Sequence, residues 1–513
     1  MRSPSLLRPR ALLVLESVVV AAATAHAALA LHRAPAWTVD DAWIVVRYAE
    51  NLAHHGVLAF NLDGPRVEGF TSLSAVLLAA LASVLHVAPM KAMVVAGEIA
   101  FLLGGALVLA LGRSLRAPPL AAGAVAVVHL TLAEHVTHAT SGLETEPFIA
   151  LGLALALTAA RALREPRCSI VPVAIVGFVL TITRPEGAAA AAIALAIVLQ
   201  ARARDRAVLR RAAVRAAAWY ALPMALVTAW RIMTYGSVVP NTYFAKRTGW
   251  NGAHVGDLWT LVNAHFLDLV VVAMAAVAVV ALVAGRGPRI WQHERRMLTI
   301  AALVLLAHLA AYARSEPMMD FGRRFAMHGL PWLDVGALVA VSVALRSLRR
   351  APGALAAAPA LVIVLAVGSA VLRGRDAEAT EAGRMTSYAR AMDLLCAPTA
   401  TWIVNHTAPD ATIAVYPDAG CVPYLSRRRT IDFGRLNDAA LARSTRAPAN
   451  VAAYFFVNDP DVLVASRPRP GELWDDGAQA IVADPRFRTG YELAFQRDTA
   501  EGVGYVVYRR RPR

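Results

Sequence analysis

The sequence predicts an α-helical, polytopic membrane protein of about eleven transmembrane helices followed by a C-terminal soluble α/β domain. Three observations carry this prediction. The chain of 513 residues is 58% hydrophobic and 17% charged, with a mean hydropathy of +0.50, too apolar for a soluble protein of that length. Twelve apolar runs could cross, or nearly cross, a hydrocarbon core of about 30 Å, and the loops between them sort by charge. Only the last 141 residues return to soluble composition.

Taken in order, the runs are 11–31, 72–88, 92–111, 118–133, 147–160, 170–183, 187–200, 212–230, 266–284, 297–313, 325–345 and 353–372. The first follows a basic start, as a signal peptide would, but it has no clear cleavage site and reads as an uncleaved helix. Basic residues cluster at Arg2/Arg8/Arg10, Arg113/Arg116, Arg161/Arg164/Arg167, from Arg202 to Arg215, Arg286/Arg289/Arg295/Arg296 and Arg346/Arg349/Arg350. These loops are expected on the cytoplasmic side. The loops 134–146, 183–187, 231–265 and 314–324 and everything after 372 then fall outside. A cytoplasmic N-terminus and a cytoplasmic Arg113 loop need an even number of crossings between them, and three runs lie there. One run therefore does not cross. Segment 72–88 lacks a basic flank on the cytoplasmic side and precedes Pro89 and Lys91, so it is expected to lie along or dip into the outer interface. The domains read as 1–372, a membrane part with a first external loop at 32–91, and 373–513, an external tail. In the tail a helical stretch near 377–406 precedes β-like runs at 412–416, 461–465, 480–483 and 504–508.

A net charge of +15 and a pI near 10.4 would suggest nucleic acid in a soluble chain. The six basic cytoplasmic segments, however, hold 21 basic and 3 acidic residues, which exceeds the whole excess, while the tail holds 19 and 17. The charge is a topological signal, and no nucleic-acid partner is implied. Of the three cysteines, Cys168, Cys396 and Cys421, no pair has C-x-x-C spacing for zinc or redox chemistry. Cys396 and Cys421 would lie outside, where a disulfide is chemically permitted, though nothing in the sequence sets their separation.

The external loops carry compact polar clusters, and charges beside hydrocarbon tend to face a protein interior or an aqueous cavity. In Asp40-Asp41-Ala42-Trp43-Ile44-Val45-Val46-Arg47-Tyr48, the apolar Ile44, Val45, Tyr48 and Leu52 share one side of a helix ending near Gly56, and Asp40, Arg47 and Asn51 share the other. Asp40 or Asp41 could simply cap that helix. Two consecutive acids exceed what one cap requires, and residues about 100° apart divide the roles: one faces a substrate while the other caps or orients. Glu68 and Arg66 read either as a solvated pair or as part of a site. Glu144, Arg184 and Glu186 stand on two tight corners. Asn241 and Lys246 follow Pro240, and Arg323 and Arg324 stand at a later corner; each cation alone could snorkel, but together they suffice to bind a lipid phosphate. No metal constellation, P-loop or Rossmann fingerprint is present in the sequence.

These clusters resemble the bacterial GT-C glycosyltransferases related to the actinobacterial terminal arabinofuranosyltransferases of the cell wall. The matching blocks run in order: Asp40-Asp41-Ala-Trp-Ile with Arg47-Tyr48 and Asn51, Phe60-Asn61 with Val67-Glu68-Gly69-Phe70-Thr71-Ser72, Ser141-Gly-Leu-Glu144-Thr145, Thr183-Arg184-Pro-Glu186-Gly, Pro240-Asn241-Thr242-Tyr-Phe-Ala-Lys246, Gly322-Arg323-Arg324-Phe, and Ile413-Ala-Val-Tyr-Pro-Asp418-Ala-Gly420 with Pro423-Tyr424 and Ile431-Asp432. They span nearly the whole chain. Pro417, Cys421 and the His54-His55-Gly56 turn depart from the commoner pattern.

The resemblance implies a multi-pass enzyme of the bacterial inner membrane, with a cytoplasmic N-terminus and a periplasmic C-terminal domain. It would move arabinofuranose, or another pentose or hexose, from a polyprenyl-phosphate donor to an envelope glycan or glycolipid with inversion. Asp40 or Asp41 would be the general base, Asp40 preferred because it shares a face with Arg47. Lys246, Arg184, Arg323 and Arg324 would face the lipid phosphate, Glu68, Glu144 and Asn241 would hold sugar hydroxyls or those cations, and Arg47 and Glu186 would also bind substrate. No cofactor is required, although the external acids could hold a divalent ion. The rival expectations are a polytopic lipid or glycan transporter, which should show repeat symmetry, and a non-enzymatic envelope or motility factor on the same fold.

Overall fold

The computed structural model describes residues 9–165, 167–250, 252–263, 290–316, 318–348, 358–469 and 471–512. Among these, six helices are long and apolar enough to cross a membrane: Ala11–Arg33, Pro89–Ser114, Thr145–Arg164, Arg206–Tyr235, Gln292–Tyr312 and Leu330–Ser347. Four more, Leu73–Val84, Ala121–Leu130, Val171–Thr183 and Gly187–Gln200, are apolar but have only 12, 10, 13 and 14 residues. At 1.5 Å per residue they reach about 15–21 Å, short of a full crossing. Six helices of crossing length thus stand among the described residues, which leave out parts of the eleven predicted spans. The predicted run 118–133 is cut at Thr131, where the chain turns into a second helix, Ala133–Thr140. The predicted run 266–284 lies outside the described residues, as does the start of 353–372.

The loop after the first long helix holds two short ones. Asp40–His55 ends at Gly56, whose φ of 66° lets its N–H close on the Leu52 carbonyl at 3.0 Å. Its N-cap is Val39, in extended conformation and without a side-chain cap, so neither acid serves as the cap. Asp40 and Asp41 are instead the first two helical residues, where negative charge meets the positive end of the helix dipole. The helix Leu73–Val84 is the apolar segment expected to stay out of the bilayer; its N-cap Ser72 accepts from the Ala75 N–H at 3.2 Å.

A single helix of 49 residues, Ala358–His406, leads into the C-terminal domain, running without a break through the predicted boundary at 372. Five strands follow: β1 (Thr412–Tyr416), β2 (Arg429–Asp432), β3 (Val462–Arg467), β4 (Tyr491–Asp498) and β5 (Gly504–Arg510). Their order is β2-β1-β3-β5-β4, parallel among β2, β1 and β3 and antiparallel from β3 outward. Period-2 alternation gives the sheet two buried faces. Ala414, Tyr416, Leu463 and Ala465 pack with Phe455 and Ile481, whereas Ile413, Val415, Val462 and Val464 join the core that continues into the bundle. The run 480–483, expected as β, belongs to the helix Asp476–Ala483. Asp475 caps that helix by accepting from Ala478 N–H at 3.0 Å, and Ala478 and Ile481, three apart, bury on one face. Cys396 of the long helix and Cys421 form a disulfide with Cα atoms 6.1 Å apart.

Candidate active site between the bundle and the C-terminal domain

The helix Asp40–His55 is buried on two sides. Its apolar side packs on the bundle and its polar side receives the C-terminal domain. Arg47 carries much of this second contact, its guanidinium donating to the carbonyls of Phe60 (2.8 Å), Pro423 (2.7 Å) and Arg428 (2.8 Å) and to Asn61 Oδ1 (3.2 Å), over the ring of Phe60. Glu50 accepts from the Tyr424 hydroxyl at 2.7 Å and pairs with Arg427 at 2.6 Å. Arg47 is thus a strut between domains. Its removal strands buried carbonyls, so Arg47→Ala is expected to cost about 3 kcal/mol of stability; a lower thermal midpoint and faster proteolysis at the domain joint check this.

Asp40 joins the same contact. Its carboxylate accepts from the Gly420 and Cys421 N–H groups, each at 2.8 Å, and its own N–H donates to the Tyr388 hydroxyl at 3.0 Å. Burial pushes this carboxyl well above the usual range, the Asp418 charge adds to the effect, and the Cys421 N–H works against it. Asp418, which accepts from Tyr505 at 3.0 Å, is raised by burial to about 6. Asp40 and Arg47 do share a helix face, but it is the face that the C-terminal domain covers. Of the two acids, Asp40 faces the C-terminal domain and Asp41 faces the cavity.

Asp41, about 100° around the helix, lines a small cavity with about 40 Å³ of room for water-sized molecules. Ile44 and Val45 from the same helix, Gly69 to Ser72, Leu143 and Glu144, Thr242 and Lys246, Arg324, and Leu436 of the C-terminal domain complete the wall. Six segments distant in sequence meet there. Arg324 is 4% exposed, and its Nε and Nη1 have no hydrogen-bond partner among the described residues. It lies over the Phe325 ring, as do the Lys246 ammonium and Arg184, at 4.7, 5.6 and 5.6 Å from the centroid. Burial draws the Lys246 ammonium down to about 8, partly opposed by the Asp41 carboxylate. Two cations therefore face a carboxylate in a confined space, and the buried one has donors to spare.

The other predicted residues surround this cavity without lining it. Arg184 bonds to Glu144, to Glu186 at 2.6 Å and to the Tyr312 hydroxyl at 3.1 Å, so it and Glu186 fix Glu144 from behind. Glu68 pairs with Arg231 at 2.9 Å rather than with the exposed Arg66, and burial raises its carboxyl against the pull of that guanidinium. Asn241 donates to the carbonyls of Arg435 (3.0 Å) and Leu436 (2.9 Å), holding the loop that supplies Leu436. Asp432 secures the same loop through Asn437, accepting from its backbone N–H at 2.8 Å and its side-chain amide at 2.9 Å. Arg323 turns away to Glu134 at 3.0 Å, because left-handed Gly322 and Arg323, both at φ 53°, splay the two arginines apart.

Sequence reasoning missed Arg231, Tyr388, Tyr505 and Leu436. A lone arginine inside the apolar stretch Leu222–Tyr235 was a usable signal for the first; nothing local marks the others. It also missed two buried carboxylate–imidazole pairs in the bundle, Asp334–His129 at 2.8 Å and Glu146–His135 at 2.9 Å. Among the described residues no group of three or more His, Cys, Asp or Glu is placed to hold a metal ion.

Residues 384–508 match a family described as a domain of unknown function (DUF8728). No curated protein matches the chain. Solved structures do. ArnT from Cupriavidus metallidurans bound to undecaprenyl phosphate is 13% identical, with 96% of this chain and 97% of that one covered and a TM-score of 0.56. The oligosaccharyltransferase AglB from Archaeoglobus fulgidus, in complex with an inhibitory peptide and a dolichol-phosphate, is 13% identical over 96% of this chain and 74% of that one, TM-score 0.53. The arabinofuranosyltransferase AftD from Mycobacteria is 15% identical, TM-score 0.51, with 96% of this chain but only 40% of AftD covered. The fold is that of the GT-C membrane glycosyltransferases.

Proposed function

We propose that the chain is an integral-membrane glycosyltransferase that moves a sugar from a polyprenyl-phosphate donor to a cell-envelope glycan or glycolipid acceptor, with inversion, in the cavity lined by Asp41. The observation that carries the reading is the pairing in one pocket of a carboxylate with Lys246 and with Arg324 nitrogens that have no partner among the described residues. Asp41 takes the proton of the acceptor hydroxyl as that oxygen attacks the anomeric carbon. The bond from that carbon to the phosphate oxygen breaks, and Lys246 and Arg324 stabilise the charge that develops on the lipid phosphate. Glu144, fixed by Arg184, is placed for sugar hydroxyls. None of these steps calls on a metal.

The polyprenyl-phosphate donor is supported by the fold shared with proteins solved with undecaprenyl phosphate and with a dolichol-phosphate. Arabinofuranose is the donor sugar favoured by the sequence blocks and by the likeness to AftD. The positive-inside loops favour a periplasmic cavity and C-terminal domain on the bacterial inner membrane. Full-length protein in lipid nanodiscs, offered a panel of polyprenyl-phosphate pentoses and hexoses with envelope glycan acceptors, is expected to transfer one of them and to give a product of opposite anomeric configuration. Retention of configuration would overturn the single-displacement step.

The pH dependence follows from Lys246. Its pKa of about 8 leaves the ammonium charged below that pH and neutral above it. The phosphate needs the charged form, so kcat/KM, which reports the free enzyme, should fall as pH rises through about 8. Lys246→Arg, whose guanidinium stays protonated, should remove that descending limb.

A further inference from the structure

The C-terminal domain does more than cover the site. Three attachments from it converge on residue 40, next to the cavity acid. The Gly420 and Cys421 N–H groups grip the Asp40 carboxylate at 2.8 Å each, and the Tyr388 hydroxyl receives the Asp40 N–H at 3.0 Å. Tyr388 and Cys396 stand on the same long helix, and the Cys396–Cys421 disulfide ties the gripping peptide to it. There is no slack: a Cβ at Gly420 would overlap the Asp40 backbone carbonyl and press on its carboxyl carbon at 2.8 Å. Asp41 is the next residue, so the register of the first helical turn is set from the C-terminal domain.

We infer that Asp40, clamped by the Gly420–Cys421 peptide and the disulfide behind it, is a positioning residue that holds Asp41 at the angle needed for proton abstraction. This rests on the reading of Asp41 as the base. A capping acid would only stabilise its helix, but here the N-cap is Val39, which offers no side-chain cap, and the Asp40 oxygens bind another domain. Misplacing a catalytic group by about 1 Å can cost about 100-fold in rate. The clamp therefore acts on turnover, whereas the donor phosphate meets Lys246 and Arg324 regardless.

The test uses full-length protein in nanodiscs and three clamp variants: Gly420→Ala, Asp40→Asn and the double variant Cys396→Ser/Cys421→Ser. Polyprenyl phosphate without sugar titrates the number of donor sites per chain, and transfer is expressed per titrated site. For Gly420→Ala and Asp40→Asn, turnover per site is expected to fall about 10- to 100-fold with the Kd for polyprenyl phosphate within about twofold. The disulfide variant, the mildest, should fall in the same sense with its sites intact. Phe455→Ala, in the far core of the domain, separates positioning from stability. It should lower the number of sites and the thermal midpoint but leave turnover per site unchanged. If the clamp variants behave like Phe455→Ala, losing sites but not turnover per site, the clamp is only structural and the inference fails. If Asp41→Asn itself keeps full turnover, the base reading fails instead, so the two failures are distinguishable.

Discussion

Asp41→Asn is expected to lower sugar transfer about 10²–10⁴-fold, the contribution of a positioned general base, with the thermal midpoint and the affinity for polyprenyl phosphate unchanged. The expectation follows from placement. Asp41 lines the cavity, while its neighbour is held by two backbone N–H groups of another domain. Asparagine keeps the shape and removes the proton acceptor. Steady-state transfer alongside a thermal melt checks the result. A variant equally stable and equally active would move the base elsewhere, with Glu144 the next carboxylate on the wall.

The second large effect belongs to Arg324. Its buried guanidinium has Nε and Nη1 without partners among the described residues, an arrangement costly unless an anion completes it. Arg324→Ala should cost about 10²–10³-fold in kcat/KM, as for other donors aimed at developing negative charge. Arg324→Lys should recover only part of this, since an ammonium cannot reproduce two-point guanidinium contacts with a phosphate. Arg323→Ala offers a contrast, because Arg323 is paired with Glu134; donor affinity should survive it. Steady-state transfer by the three variants reads the loss in kcat/KM, and binding of polyprenyl phosphate reads donor affinity.

Much of the site was legible in the sequence because charge at the edge of hydrocarbon is expensive and therefore conspicuous. The blocks around Asp41, Glu144, Lys246 and Arg324 each stood out on that ground, and the structure brings them to one cavity. What could not be read was the division of labour within pairs. Asp40 and Asp41 differ by one helical step, and which of them turns inward depends on where the C-terminal domain, nearly four hundred residues away, lays its peptide. Arg323 and Arg324 are divided by a local backbone turn with positive φ. Arg47 is expected from the sequence to bind substrate, yet three carbonyls, two of them from the C-terminal domain, occupy it.

The fold divides in a similar way. The long apolar helices and the short segment after Ser72 follow from hydropathy and loop charge. In the C-terminal domain, β1, β3 and β5 followed from apolar runs, but β2 and β4 carry charges at their ends and did not announce themselves. The helix at Ala480–Ala483 shows why: four apolar residues cannot distinguish a strand from a buried helical turn, and the deciding residue, Asp475, lies five positions upstream.

Single-turnover transfer at matched donor occupancy tests the central claim most directly. Wild-type protein and Asp41→Asn, each in nanodiscs and saturated with the same labelled polyprenyl-phosphate sugar, are mixed with acceptor glycan, and the label is followed from lipid to glycan. The account predicts equal occupancy in both and a transfer rate in Asp41→Asn slower than wild type by about 10²–10⁴-fold. Equal transfer by both, or none by wild type with any donor of the panel, would contradict it.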